Sequence, residues 1–165
     1  MRPTSTIQSR AFTLVEILIV TTMMAILAML AVPRYSSASD DAREAQLGTD
    51  VQIMRRQIGM YVAQHSGRGP HLNEKGVTDR ANMVVRLTGR TTPDGKIDSS
   101  GACGPYLNVW PTNSFAPVSV AKDIRVGSVS KPSRDDRSGW YYSTTSCIIS
   151  PNTKRGAVNL DPEVK

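Results

Sequence analysis

Apolar residues form one nearly unbroken run close to the start of the chain. Over residues 12–32 the one charged side chain is that of Glu16. A helix rises about 1.5 Å per residue, so a helix over this run covers the roughly 30 Å hydrocarbon core of a bilayer. The pattern therefore predicts a membrane-spanning segment, which we assign to residues 12–35.

After this run the pattern changes to that of an amphipathic helix. Pro33 lacks a backbone N–H and clashes with the preceding turn, so a helix either ends there or continues with a bend. Because a helical pattern resumes at residue 39, we expect one helix through Pro33, whose second half over residues 36–65 docks onto a small domain. The docking face carries apolar residues at spacings of four and three: Leu47, Val51, Met54, Ile58 and Tyr61.

Residues 66–165 carry shorter patterns, which predict a small globular domain. Glycines and a proline over residues 66–70 end the long helix. Thr78, with Asp79 beside it, is typical of a helix N-cap and predicts a short helix over residues 78–88. Residues 91–95 contain the Pro-Asp-Gly signal of a turn.

The last third of the chain is rich in strand signals. β-Branched residues recur between polar ones over residues 118–129. Two further runs, 139–143 and 147–150, are separated by Thr-Thr-Ser and predict a hairpin. The predicted fold class is therefore α+β, with a long N-terminal helix packed on a small sheet of about three antiparallel strands.

Composition limits the chain to one helix and one small domain. The chain has 165 residues, of which 5% are aromatic, so we expect a thin domain with few bulky anchors. The net charge is +6, and several basic residues fall in polar loops, which is typical of a solvated face. Nucleic acid is therefore not an expected partner, although a polyanion-binding surface is the alternative. These basic residues are Lys131, Arg134, Arg137, Lys154 and Arg155.

Residues 1–11 form a leader with two arginines and no acid, which ends in the small residue Ala11 and precedes Phe-Thr-Leu-Val-Glu and the apolar run. With this motif the start of the chain resembles the N-terminus of type IV pilins and type II secretion pseudopilins. The resemblance implies cleavage by prepilin peptidase between Ala11 and Phe12 and methylation of the new Phe12 amino group. The family usually has Gly at the position of Ala11. The positive leader predicts a cytoplasmic N-terminus and a translocated C-terminal domain.

Glu16 is the residue to which we assign a role in assembly, together with Pro33, which closes the apolar run. An ionisable group near lipid costs about 2.5–3.5 kcal/mol and needs a partner. By the resemblance Glu16 is the fifth residue of the mature chain, where its carboxylate can meet the Phe12 amine of a neighbouring subunit and set the register between subunits. The alternatives are an ion pair within one chain and a protonated Glu16 without a partner.

Two cysteines, Cys103 and Cys147, both follow the apolar run. On an extracytoplasmic side a disulfide between them is chemically allowed, and the sequence leaves their pairing open. No Cys-x-x-Cys pair or histidine cluster accompanies them, so we expect no metal site of that kind. The histidines His65 and His71 border the Gly/Pro-rich loop and are interpreted as surface residues. No nucleophile or phosphate-binding motif is present, so the sequence does not predict an enzyme.

We expect no cofactor, with calcium as the alternative. The resemblance raises calcium, since pseudopilins commonly hold this ion in a late acidic loop. The acids of this region are scattered and do not form the tight cluster of oxygen ligands that calcium needs. They are Asp123, Asp135, Asp136, Asp161 and Glu163.

The segment Gly104-Pro-Tyr-Leu is similar to a pattern of the major pseudopilin of type II secretion, which continues here with Pro111 and Asn113. The Gly-Trp-x-Tyr run that begins at Gly139 is found in prepilin-like proteins. The resemblance implies a structural subunit of a homo-oligomeric, pilus-like filament that supports protein export. Its implied partners are prepilin peptidase, an inner-membrane assembly platform and minor pseudopilins. Two alternatives stay open, namely a true type IV pilin for adhesion, motility or DNA uptake, and a bitopic membrane-anchored binding module.

Overall fold

The computed structural model describes residues 12–130 and 132–156, with the backbone alone described over residues 30–37. The predicted leader, residues 1–11, lies outside the described residues. The chain divides into two compact units, Met1–Asp41 and Ala42–Lys165. The combination of a long N-terminal helix with a small sheet agrees with the predicted α+β class.

The long helix, α1, spans Leu14–Gln64 and passes through Pro33 as helical backbone, which confirms the prediction of continuity. It ends where Ser66 and Gly67 adopt left-handed backbone angles, with φ of 55° and 83°. The N–H of Gly67 donates to the carbonyl of Val62 at 2.9 Å, which caps the last turn.

The first turns of α1 lie in the Met1–Asp41 unit and are exposed on all sides. Every side chain over residues 12–29 is exposed. Across the described part of the chain, no helix combines the length and the apolar character needed to cross a membrane.

The core of the Ala42–Lys165 unit forms against the second half of α1. The five residues of the predicted docking face are each at most 2% exposed, which confirms that face as core. They pack with the buried residues Met83 and Leu87 and with the sheet, whose buried members include Trp140, Tyr142 and Ile149. The i, i+3 and i, i+4 spacing therefore identified the helix face that holds this unit together.

The sheet has three strands in the order β1–β2–β3, with β1 at Ile124–Gly127, β2 at Trp140–Ser143 and β3 at Ile148–Pro151. Strands β2 and β3 pair antiparallel, which confirms the predicted hairpin. Strands β1 and β2 pair parallel, so the expectation of an all-antiparallel sheet is wrong. The chain between Gly127 and Trp140 is long enough for the crossover that a parallel pair requires.

The second helix, α2, spans Met83–Thr88 and starts later than predicted. Thr78 does not cap it, because Thr78 pairs with Leu72 in an isolated bridge. The predicted strand region over residues 118–129 begins instead with a single 3₁₀ turn, Val118–Val120, before β1. The turn over residues 91–95 is confirmed, with the N–H of Gly95 donating to the carbonyl of Thr92 at 2.9 Å.

Candidate assembly site

Two of the predicted processing and assembly residues, Phe12 and Glu16, lie at the start of α1. Ala11 lies outside the described residues, and Phe12 is 73% exposed. Thr13 precedes the helix, and the N–H of Glu16 donates to Thr13 Oγ1 at 3.2 Å. Thr13 is therefore the N-cap of α1, and Glu16 occupies the third helical position, as in a Thr-x-x-Glu capping box.

The carboxylate of Glu16 is exposed in the first turn of α1. Within residues 12–130 and 132–156 no side chain forms an ion pair with it. The N-terminal end of a helix carries partial positive charge, which favours an anion at this position. Glu16 therefore presents a negative charge that a cation from another molecule can reach.

The surface around Glu16 is apolar. The hydroxyls of Thr21 and Thr22 donate to carbonyls of their own helix, those of Leu18 at 3.0 Å and Ile19 at 2.8 Å. These polar side chains are thus satisfied locally, and Glu16 is the charged residue of the segment. The exposed large apolar side chains are Phe12, Leu14, Val15, Ile17, Leu18, Ile19, Val20, Met23, Met24, Ile26, Leu27 and Met29.

A helix that is apolar on all sides is typically buried, either in lipid or among other helices. For Pro33, the other predicted assembly residue, the structure describes only helical backbone.

The two cysteines lie in the Ala42–Lys165 unit, half-buried against its core. Both are free thiols, so the disulfide that the sequence left open is not formed in this structure. Burial raises the pKa of Tyr106 and of Tyr142, and the neighbouring thiols of Cys103 and Cys147 respectively raise it further.

His65 is fully buried, so its interpretation as a surface residue is wrong. Its ring stacks on that of Tyr61, with centroids 3.8 Å apart and planes 7° apart. Its Nε2 lies 2.9 Å from Thr91 Oγ1, and its Nδ1 lies 2.8 Å from the carbonyl oxygen of Tyr61. Burial raises the pKa of Tyr61 to about 12. The signal for burial was present, since His65 follows Tyr61 by four residues and continues the docking face.

His71 is also buried, contrary to expectation. Its Nδ1 lies 3.2 Å from the hydroxyl oxygen of Tyr142 on β2. Burial lowers the pKa of His71, and the nearby positive charge of Arg86 lowers it further.

Arg86, which the sequence interpretation missed, is 2% exposed on α2. Arg86 lies three residues after the apolar Met83 and next to Leu87. It therefore falls on the buried face of α2. Among the described residues no buried side-chain nitrogen or oxygen atom lacks a hydrogen-bond partner. The buried polar groups thus form the satisfied network that a structural core needs.

Two of the late acidic residues, Asp135 and Asp136, accept hydrogen bonds from other groups of the protein. Asp135 accepts hydrogen bonds from Arg125 Nη1 at 2.7 Å and from Asn152 Nδ2 at 2.8 Å. Asp136 accepts one from the backbone N–H of Lys154 at 3.0 Å. Calcium takes six to eight oxygen ligands, and in the described residues no group of three or more acidic, histidine or cysteine side chains is placed to hold a metal ion. The other two late acids, Asp161 and Glu163, lie outside the described residues.

Comparison of the chain with protein-family models, with curated proteins and with solved structures finds no match.

Proposed function

We propose that the chain is a structural subunit of a pilus-like helical filament, processed by prepilin peptidase and assembled from the inner membrane. The observation that carries the proposal is the exposed apolar surface of α1 over residues 12–29, with a single carboxylate near its start. Such a surface is unstable in water, because burying apolar area contributes about 25 cal/mol per Å². It needs lipid, or copies of itself, to cover it.

The membrane part of the proposal rests on the length of the apolar run. The run of the sequence extends to residue 32, beyond Met29, the last of its residues whose side chain is described. Twenty-one residues, counted from 12 to 32, match the about 20 that a membrane helix needs. The basic leader supports a cytoplasmic N-terminus and a periplasmic C-terminal domain.

Glu16 supports assembly over simple anchoring. A plain anchor gains nothing from a carboxylate next to lipid, whereas a filament subunit gains a charge partner at a fixed distance along the helix. The partner in this proposal is the amino group of Phe12, freed by cleavage on a neighbouring subunit. The contact is heterologous, so repeating it builds an open helical filament.

A role in type II secretion, as a pseudopilin supporting protein export, is the specific form that we propose. It is supported by the resemblance of the Gly104-Pro-Tyr-Leu segment and of the N-terminal segment to that family. Homo-oligomers, minor pseudopilins and an inner-membrane platform are the partners that this function requires.

The deciding experiment is intact-mass measurement and N-terminal sequencing of the protein from membranes of cells with and without prepilin peptidase. The proposal expects a chain that begins at methylated Phe12 only when the peptidase is present. A chain that retains residues 1–11 in both cells contradicts the proposal and leaves the apolar run as a plain anchor.

Assembly is tested separately by comparing Glu16→Ala with Asp41→Ala, which removes an exposed acid elsewhere on α1. The proposal expects Glu16→Ala to be processed and to reach the membrane but to enter filaments at least about tenfold less, a loss of about 1.4 kcal/mol. Asp41→Ala is expected to assemble normally. Equal assembly of the two variants contradicts the role of Glu16.

A further inference from the structure

Strand β1 lies at the edge of the sheet and pairs, among the described residues, with β2 alone. The N–H of Trp140 donates to the carbonyl of Asp123 at 3.0 Å, and the N–H of Thr144 donates to that of Gly127 at 2.8 Å. In a parallel ladder alternate residues direct both backbone groups to the same neighbour. Residues 123, 125 and 127 therefore face β2, and Ile124 and Val126 direct their N–H and C=O groups away from the sheet.

A surface depression follows this edge. One pocket of about 760 Å³ is lined by residues 124–129 and by Tyr141. A second pocket, of about 560 Å³, is lined by residues 122–125 and by the start of α2. The two pockets share the lining residues Arg80, Ile124 and Arg125, so they form one continuous groove beside β1. The groove lies where a further strand would run.

The groove is positively charged. Arg80, Lys122 and Arg137 line it and are exposed. None of the three forms an ion pair with a carboxylate in the described part of the chain. A fourth cation, Arg125, is paired with Asp135 at 2.7 Å. Among the described residues, Asp123 is the one acid that lines the groove, so the charge of this lining favours an anionic partner.

We propose that this groove, which we call the β1 edge groove, binds an extended acidic segment of a partner protein as an additional strand. The outward N–H and C=O groups of Ile124 and Val126 match the backbone of an extended peptide, which is the basis of β-strand addition. The three exposed cations, Arg80, Lys122 and Arg137, select acidic side chains on that peptide. Nucleic acid is disfavoured because it offers nothing that matches the alternating donors and acceptors of a strand edge.

Exposed edge strands often carry charged residues that prevent pairing. The charged residue of β1 itself, Arg125, is paired with Asp135 at 2.7 Å, whereas Arg80 and Arg137 line the groove from outside β1. The geometry therefore favours a bound strand over a protected edge.

The test uses the full chain in nonionic detergent and a fluorescent, N-acetylated eight-residue peptide of alternating Val with Asp or Glu as the probe. Fluorescence anisotropy is expected to show saturable binding that weakens as salt is raised, because exposed charges are screened. The double variant Arg80→Glu, Arg137→Glu is expected to bind at least about tenfold more weakly. Lys75→Glu is the matched control, since Lys75 is an exposed cation outside the groove.

Three further probes distinguish strand pairing, charge selection and general polyanion binding as the cause of the interaction. The same peptide methylated on alternate backbone nitrogens tests the strand pairing, and it is expected not to bind. A peptide with Lys in place of every acid tests the charge selection, and it is also expected not to bind. Binding by either peptide that equals that of the acidic probe overturns the proposal, as does a double variant that binds as well as Lys75→Glu. A single-stranded oligonucleotide that binds the protein more tightly than the acidic peptide overturns it in favour of a polyanion surface.

Discussion

The guanidinium of Arg86 lies 2.6 Å from the carboxylate of Asp79 inside the Ala42–Lys165 unit. Arg86 also donates to the backbone carbonyls of Gly95 at 3.1 Å, Pro70 at 3.3 Å and Asp79 at 3.2 Å. Hydrogen bonds from Asn82 and from Arg86 lower the pKa of Asp79. One side chain on α2 thus joins three separate loop segments.

Removing this side chain should destabilise the protein strongly. Arg86→Met removes the charged donor of the Asp79 carboxylate and the donor of three carbonyls, and we expect a loss of about 3–5 kcal/mol in the free energy of unfolding. Arg80→Met removes an exposed arginine and is expected to change stability by at most about 0.5 kcal/mol. Urea unfolding of the full chain in detergent, followed by circular dichroism, measures both. Equal losses in the two variants would contradict a structural role for Arg86.

A matched pair of glycines tests the packing between His71 and Tyr142. A Cβ on Gly69 would lie 2.6 Å from His71 Nδ1 and 2.8 Å from Tyr142 Oη, whereas a Cβ on Gly59 meets nothing within 4 Å. We expect Gly69→Ala to cost about 1–3 kcal/mol through overpacking. Gly59→Ala, on α1, should stabilise by about 0.5–1 kcal/mol through helix propensity. Chemical denaturation distinguishes the two, and a stabilising Gly69→Ala would show that this contact is loose.

The lowered pKa of His71 predicts a pH dependence of stability. Burial, with help from Arg86, holds its pKa below the ordinary value of 6.5 in the folded chain. Below about pH 6.5 the unfolded chain therefore binds more protons at this position than the folded chain does. The contribution of His71 to stability is complete above that pH and is lost as the pH falls.

We expect the melting temperature to drop between pH 7 and pH 5, and to drop less in His71→Gln. The pKa of Asp79 is lowered from 3.8, so its carboxylate titrates below pH 5. It therefore does not contribute to the difference between pH 7 and pH 5. Thermal unfolding at the two pH values measures the difference. An identical drop in both proteins would mean that another group carries the pH dependence.

Local periodicity was sufficient to predict several features of the fold. The apolar stripe of α1 repeats at helical spacing and is independent of distant residues, so it could be recognised before the structure. The hairpin of β2 and β3 could also be predicted from neighbouring residues, since its two strands flank one short turn. Continuity through Pro33 followed from the resumption of the helical pattern after it.

Features that depend on distant contacts were missed. The parallel pairing of β1 with β2 is decided by the crossover between them, which has no repeating pattern. The groove beside β1 combines Arg80 with a strand more than forty positions later in the chain, and such an arrangement is visible only in three dimensions.

Asn152 offers a test of whether the acidic loop depends on a metal ion. It is fully buried, and its Nδ2 donates to Asp135 Oδ1 at 2.8 Å and to Ser138 Oγ at 2.9 Å. We expect Asn152→Ala to cost about 1–3 kcal/mol, since it leaves buried polar groups without partners. The exposed Asn108 provides the control variant, Asn108→Ala, with no expected loss.

Thermal unfolding of Asn152→Ala, of Asn108→Ala and of the unchanged protein measures these effects, and it should be repeated with calcium and with excess chelator. Because the Asp135 carboxylate is already occupied by Arg125 and Asn152, we expect neither addition to change the melting temperature. A melting temperature that falls on chelation would show that residues outside the described ones complete a metal site.

The final prediction separates two roles for Glu16. Its N–H bond to Thr13 Oγ1 at 3.2 Å makes helix capping an alternative to a contact between subunits. Thr13→Val removes the cap at a cost of about 1 kcal/mol in helix stability but keeps the charge of Glu16. Glu16→Gln keeps the size of the side chain and its ability to accept a hydrogen bond but removes the charge. If the charge joins subunits, Glu16→Gln should abolish filament formation while Thr13→Val assembles, as measured by the protein recovered in sheared filaments relative to the membrane pool. Normal assembly of Glu16→Gln together with a loss of assembly in Thr13→Val would show that the helix cap, and not the charge of Glu16, is required.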